Sequence, residues 1–397
     1  MTPLRVLAIA GGLATMGFMA FNAVIGLVAR QLGLLEWQVG LLVSLAGLAL
    51  VVVSAAWGRA SDRRGRLPIM RLGLVGYVLG FAAMGVYLAW SQMQLQAGIV
   101  PAVALSFGVL MLTRLAVSVL YGAYQTAAQA YAADVTTEAT RAQAMAALGL
   151  GQAVGMVLGP ASASALSAVN LNSPIWAATV LGMLALAMVH RRLPPPPQRP
   201  LGPQTTLNWR DRRIRFALFT GFAAFTCIMS AQVVTGFFAQ DRFGLATQQA
   251  AALAGAALTC VGLALVCAQL IVRRLAWPPW RIVATGAAIS AVGFSTAIWV
   301  AAPWQMMAGF FCSGFGMGFV FPGMQAANAN AVQAHEQGAA AGTLGAAQAM
   351  GMVIGPLAAT ALYRQVGPSA PFALAGALMA VTCVAALWQR RRTVAVA

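Results

Sequence analysis

Of 397 residues, 60% are apolar and 8% charged, and the mean hydropathy is +0.80; a soluble domain carries roughly one charged residue in four. Water is thereby excluded as the main solvent, and apolar runs that are continuous and not alternating exclude a β-barrel. The formal charge of +17 does not indicate nucleic-acid binding, because in such a chain the position of the charges matters more than their sum.

Apolar runs, each about long enough as a helix to cross a hydrocarbon core, are predicted over 5–29, 37–57, 68–90, 97–131, 142–167 and 173–190, then 214–240, 247–271, 281–300, 303–331, 338–363 and 368–389. The first follows a single arginine and has no small-residue cleavage site, so it reads as a span and not a removable signal. Between the sixth and seventh runs lies the polar stretch HRRLPPPPQRPLGPQTTLNWRDRRIR. Four consecutive prolines forbid a helix there and favour an extended spacer. The expected organisation is an all-α membrane protein with a six-helix bundle over 1–190, a cytoplasmic linker over 191–213 and a second six-helix bundle over 214–397.

All 24 basic residues are arginine. Arg5, the 59–71 loop, Arg141, the 191–215 stretch, Arg273, Arg274, Arg281 and the 390–392 tail share one side of the membrane, whereas Arg30, Arg242 and Arg364 fall on the other. The positive-inside rule puts both termini and the central linker in the cytoplasm. The cysteines (Cys227, Cys260, Cys267, Cys312, Cys383) lie inside apolar runs without metal-ligand spacing and read as small core residues.

The two halves repeat. At an offset of 196, LGLGQAVGMVLGPASASAL (148–166) lies over LGAAQAMGMVIGPLAATAL (344–362), and the same offset pairs Gly122 with Gly318, Gln129 with Gln325 and Asp134 with Asn330. Copies that run in the same direction after six spans each imply halves related by an axis along the membrane normal, with a solute site between them.

After the second run comes GRASDRRGRLP (58–68). An ordinary solvated loop needs neither its two glycines nor an acid at this spacing. Gly58 would allow close helix approach, Gly65 a sharp turn, and Asp62 could cap a helix N-terminus while the arginines find carboxylates. The string resembles the cytoplasmic loop signature of the major facilitator superfamily, with Gly58, Asp62, Arg63, Gly65 and Arg66 in the family's positions. The resemblance implies the major facilitator fold, with 12 transmembrane helices in two six-helix halves and both termini cytoplasmic. It further implies a cytoplasmic latch partnered by Asp134 that favours an outward-facing state. In the second half, at an offset of 210, Val272 and Leu275 stand where Asp62 and Gly65 do, so the latch is degenerate there.

In the fifth run Gly151, Gly155 and Gly159, followed by Pro160, place three glycines on one helix face, which serves tight packing. The pattern also resembles that of the drug:proton antiporter branch, as in tetracycline efflux proteins, and implies export coupled to a proton. Arg114 is the sole basic residue deep in a run, matching the family's fourth-span arginine, although Ser118 replaces an expected glycine. An intramembrane charge is costly and usually functional. Where tetracycline exporters carry a first-span acid this chain has Asn22, and Glu36, Asp62, Asp134, Glu138, Asp211, Asp241 and Glu336 all sit at run ends or in loops. Asp134 is the remaining titratable candidate for coupling, with a plain latch role as its alternative.

Arg114 without a nearby carboxylate favours neutral or anionic cargo over lipophilic cations. The cargo expected is a neutral drug, a siderophore or another small metabolite, with Asn22, Arg114, Gln125, Gln129, Gln152, Gln232, Gln325 and Gln348 as candidate substrate-binding residues. Each glutamine could equally be helix–helix glue. The alternative is an importer of a sugar or organic anion by the same fold. An enzyme is disfavoured: His190 and His335 fall at run ends, no GxSxG is present and no two acids share a run. A sensor would be expected to carry a soluble output domain. No cofactor, metal or nucleic acid is expected. The partners expected are a small-molecule substrate, a coupling proton and the lipid bilayer, for a monomer in a bacterial-type cytoplasmic (inner) membrane.

Overall fold

A chain in hydrocarbon must satisfy its own backbone N–H and C=O groups, which leaves the helix as the local solution for continuous apolar sequence. The computed structural model describes residues 2–99, 101–136, 138–195, 208–333 and 336–394. Within them run α1 (Pro3–Gln31), α2 (Glu36–Arg64), α3 (Arg66–Gln96), α4 (Val103–Asp134), α5 (Glu138–Ser167) and α6 (Ser173–Arg192), then α7 (Arg215–Phe243), α8 (Thr247–Val272), α9 (Pro279–Ser295), α10 (Pro303–Asn330), α11 (Gln337–Gln365) and α12 (Ala370–Val394). Among the described residues, 11 helices are long and apolar enough to cross a membrane; the remaining helix is α5, whose side chains are described only in part.

Each predicted run coincides with one helix. The ends differ most at α2, which continues through the polar residues Arg59–Arg64 before Gly65 breaks it at φ +89°. Most of the proline-rich linker, 196–207, lies outside the described residues, as do His335 and the side chains of Glu138, Arg141, Arg391 and Arg392.

Two compact units emerge, one holding α1–α6 with residues 247–255 of α8, the other α7, the rest of α8 and α9–α12. In the first, α1 packs on α5 and α6, α3 on α4 and α6, and α2 on α4; in the second, α7 packs on α11 and α12, and α9 on α10 and α12. Nearly all of α1 from Phe18 to Ala29 is buried, and so is most of α7 from Met229 to Ala239. The other helices turn large apolar side chains outward, among them Val52, Leu79, Leu112, Val292 and Val384, as lipid-facing helices do.

Glycine packing shows the internal repeat atom by atom. A Cβ on Gly155 would strike the Gly12 carbonyl, the Met16 amide and the Thr15 side chain; on Gly351 it would strike the Phe222 carbonyl, the Thr226 amide and the Phe225 side chain. Gly159 faces the Met16 carbonyl and Met19, and Gly355 faces the Thr226 carbonyl and Met229. Similarly, Gly80 meets the Thr113 carbonyl and Val117 amide of α4, and Gly293 the Gly309 carbonyl and Ser313 amide of α10. Corresponding positions are 196 apart in α4/α10 and α5/α11, 210 apart in α1/α7 and 213 apart in α3/α9.

Candidate functional site

Two carboxylates and a serine hydroxyl converge on Arg66 in the first turn of α3. Its Nε donates to Asp134 Oδ2 at the end of α4 (2.8 Å), and its Nη1 donates to Ser61 Oγ (2.7 Å) and to Asp62 Oδ1. One guanidinium thus ties α2, α3 and α4 together. Asp62 turns its carboxylate to Arg66, and among the described residues no side-chain cap is made at the start of α3, whose N-cap is Gly65. Gly65 has the left-handed φ expected of the turn. Gly58 is another matter, since a Cβ there would find Thr126 Cγ2 at an ordinary 3.7 Å, so close approach does not require glycine at 58. Arg63 is exposed.

A second polar centre lies within the first unit. Arg114 on α4 is only 2% exposed, and its Nη2 donates to Asn22 Oδ1 on α1 at 2.7 Å. Its guanidinium carbon stands 4.3 Å from the Phe18 ring centre and 5.1 Å from that of Phe21, which offers partial cation–π compensation. Nε and Nη1 have no hydrogen-bond partner among the described residues. Around this pair the rings continue: Phe18 stacks on Tyr121 (5.3 Å), Tyr77 meets Phe81 (4.7 Å) and Tyr121 (5.5 Å), and Phe21 meets Phe81 (5.5 Å). The Tyr121 hydroxyl pairs with Thr15 Oγ1 at 2.9 Å and the Tyr77 hydroxyl donates to the Ala14 carbonyl at 2.9 Å.

Of the other candidate residues, Gln125 lies against the Tyr121 hydroxyl. Gln232 is buried on α7, and among the described residues Gln348 on α11 makes a long contact from Nε2 to Met324 Sδ (3.9 Å). Gln152 is half-buried, whereas Gln129 and Gln325 are exposed. Of the candidates the structure gathers Asn22, Arg114 and Gln125, and beside them it places Phe18, Tyr77 and Tyr121, which the sequence does not single out. Five of the six tyrosines (77, 87, 121, 124 and 131) precede the linker, and that bias is the signal that would have found them. Also unforeseen is a cluster ahead of α7, where Arg213 donates to Asp211 Oδ2 (2.8 Å) and to Glu336 Oε2 (2.9 Å). Two of the three arginines at the opposite run ends have local partners: Arg30 Nη2 pairs with Glu36 Oε1 (2.7 Å), and Arg242 Nε donates to the Val300 carbonyl (2.8 Å). The five cysteines are free thiols; Cys227 is buried as expected, but Cys267 is exposed.

Comparison with known proteins agrees with this architecture. The sequence model of the Major Facilitator Superfamily matches residues 7–301 and 253–396. The class C tetracycline resistance protein of Escherichia coli is 29% identical over 347 residues, covering 82% of this chain and 79% of that protein. The human organic anion transporter TETRAN superposes with a TM-score of 0.67 at 20% identity, over 97% of this chain and 100% of that one. A bacterial homologue of the iron transporter ferroportin, in an inward-facing state, superposes with a TM-score of 0.71 at 12% identity, over 98% and 99% of the two chains. These neighbours are transporters and not enzymes, and the coverage leaves one assignment: the chain belongs to the Major Facilitator Superfamily and is a multi-pass membrane transporter of small molecules.

Proposed function

We propose that this chain is a proton-coupled exporter of a small neutral or anionic molecule, such as a drug, a siderophore or another metabolite. It would work by alternating access between two halves of six membrane-spanning helices, as a monomer in a bacterial-type cytoplasmic membrane with both termini inside. The observation that carries the charge of the cargo is Arg114, buried with a neutral asparagine and aromatic rings for company and, among the described residues, with no carboxylate paired to it. The direction rests on the tetracycline resistance relative and on the α5 glycines, which let α5 close on the α1 backbone. Arg66, Asp62 and Asp134 would form the cytoplasmic latch that must open in each cycle, with Asp134 as the titratable group.

A panel of neutral, anionic and quaternary-ammonium compounds, tetracycline included, assayed for uptake into inverted vesicles, tests this reading. Concentration of neutral or anionic members supports it; strong transport of the quaternary cations overturns the charge assignment.

A further inference from the structure

The internal repeat provides a control for Arg114. At the offset relating α4 to α10, position 114 falls on Phe310, which packs edge-on to Phe372 with ring centres 5.8 Å apart. At the offset relating α1 to α7, position 22 falls on Gln232. Tyr77 and Tyr121 fall on Ser290 and Met317. The corresponding helix packing in the second unit, with the same glycine contacts, is therefore built without a cation. Folding does not ask for a guanidinium at 114, yet a buried charge is costly unless something compensates it.

What compensates it is incomplete. Asn22 accepts one hydrogen bond through Nη2, and the Phe18 and Phe21 rings face the cation, while Nε and Nη1 stay without an acceptor among the described residues. A carboxylate at position 22 would neutralise the pair outright; the isosteric amide leaves the positive charge standing.

We propose that Arg114 is an anion-binding site for the carboxylate of a small aromatic or otherwise partly apolar cargo, and that Asn22 sets this preference by withholding a counter-charge. The oxyanion takes charge-assisted hydrogen bonds from the two unengaged nitrogens, beside the Phe18 and Phe21 rings. This deepens the exporter reading by naming the cargo class, and rests on that reading only for the movement of the ligand, not for its binding.

The test uses the purified full-length chain and compares sodium benzoate with its neutral isostere benzamide in a common chloride buffer. Benzoate is expected to raise the wild-type melting temperature over benzamide by about 2 °C or more at saturating concentration. Arg114→Phe, which copies the second unit, and Asn22→Asp, which supplies the missing charge, should not respond, whereas Asn22→Gln, also copied from the second unit, should. Asn22→Asp should melt above wild type in benzamide. No benzoate effect in wild type, or an equal effect in all variants, overturns the anion site. A benzoate effect retained in Asn22→Asp overturns the role of Asn22, and it can be read even should Arg114→Phe fail to fold. Benzoate stabilisation without outward flux of any probe would leave the site standing and refute export; outward flux of a neutral probe without benzoate stabilisation would do the reverse.

Discussion

Arg66 at the start of α3 donates to Asp134 at the end of α4 over 2.8 Å while also holding Asp62 of α2. The two carboxylates are not equal partners. Asp62 is 34% exposed and Asp134 21% exposed, against 12% for Arg66. Asp62→Asn should cost under about 1 kcal/mol of stability, as exposed pairs do, and slow transport without loss of folded protein. Asp134→Asn removes the better-shielded acceptor and should cost about 1–3 kcal/mol. Melting temperatures with flux measured on the same preparations check both; normal turnover in both variants would remove the latch role.

Close helix approach predicts a contrast among glycines. Gly155→Leu and Gly351→Leu would each drive a side chain into a backbone carbonyl, of α1 and of α7 respectively. Overpacking of this kind costs about 1–3 kcal/mol or more, and membrane yield should fall. Gly58→Ala meets only Thr126 at contact distance and should express and melt like wild type. Equal yields for all three would contradict the packing described.

At position 65 backbone conformation decides, not space. With φ at +89° and only Pro68 nearby, Gly65→Ala has room but adopts a conformation that costs L-residues about 1–2 kcal/mol. Its melting temperature should fall, whereas Arg63→Ala, on an exposed neighbour, should not shift it.

Acid should act through the cluster ahead of α7. The hydrogen bonds and charge of Arg213 hold the Asp211 carboxyl below its usual range, so the folded state favours the ionised form. That contribution is fully present above the unfolded carboxylate pKa of about 4 and is lost as pH falls through the lower folded value. Melting curves should therefore be insensitive to this group from pH 8 to about 5 and decline below about 4. Arg213→Gln should flatten the acid limb; an unchanged limb would exclude the cluster as its source.

The helices were legible because twelve uninterrupted apolar runs leave a chain in lipid little choice, and Gly65 marked its turn correctly. The repeat was legible only in part. A single offset of 196 aligns α4–α5 with α10–α11, but loops of unequal length shift α1/α7 and α3/α9 to other offsets, so only the glycine contacts reveal the whole correspondence. Arg114 and Asn22 stood out as polar residues in apolar runs. Their neighbours did not, since Phe18, Tyr77 and Tyr121 look like ordinary apolar filling until packing brings them beside a guanidinium. Gly58 misled, because its family position says nothing of the space around it.

Export of a neutral or anionic molecule is decided by flux in sealed vesicles of both orientations, with and without an imposed pH gradient. Inverted vesicles are expected to concentrate a neutral or anionic probe and to do so faster when their interior is acidic. Accumulation in right-side-out vesicles exceeding that in inverted ones would contradict it.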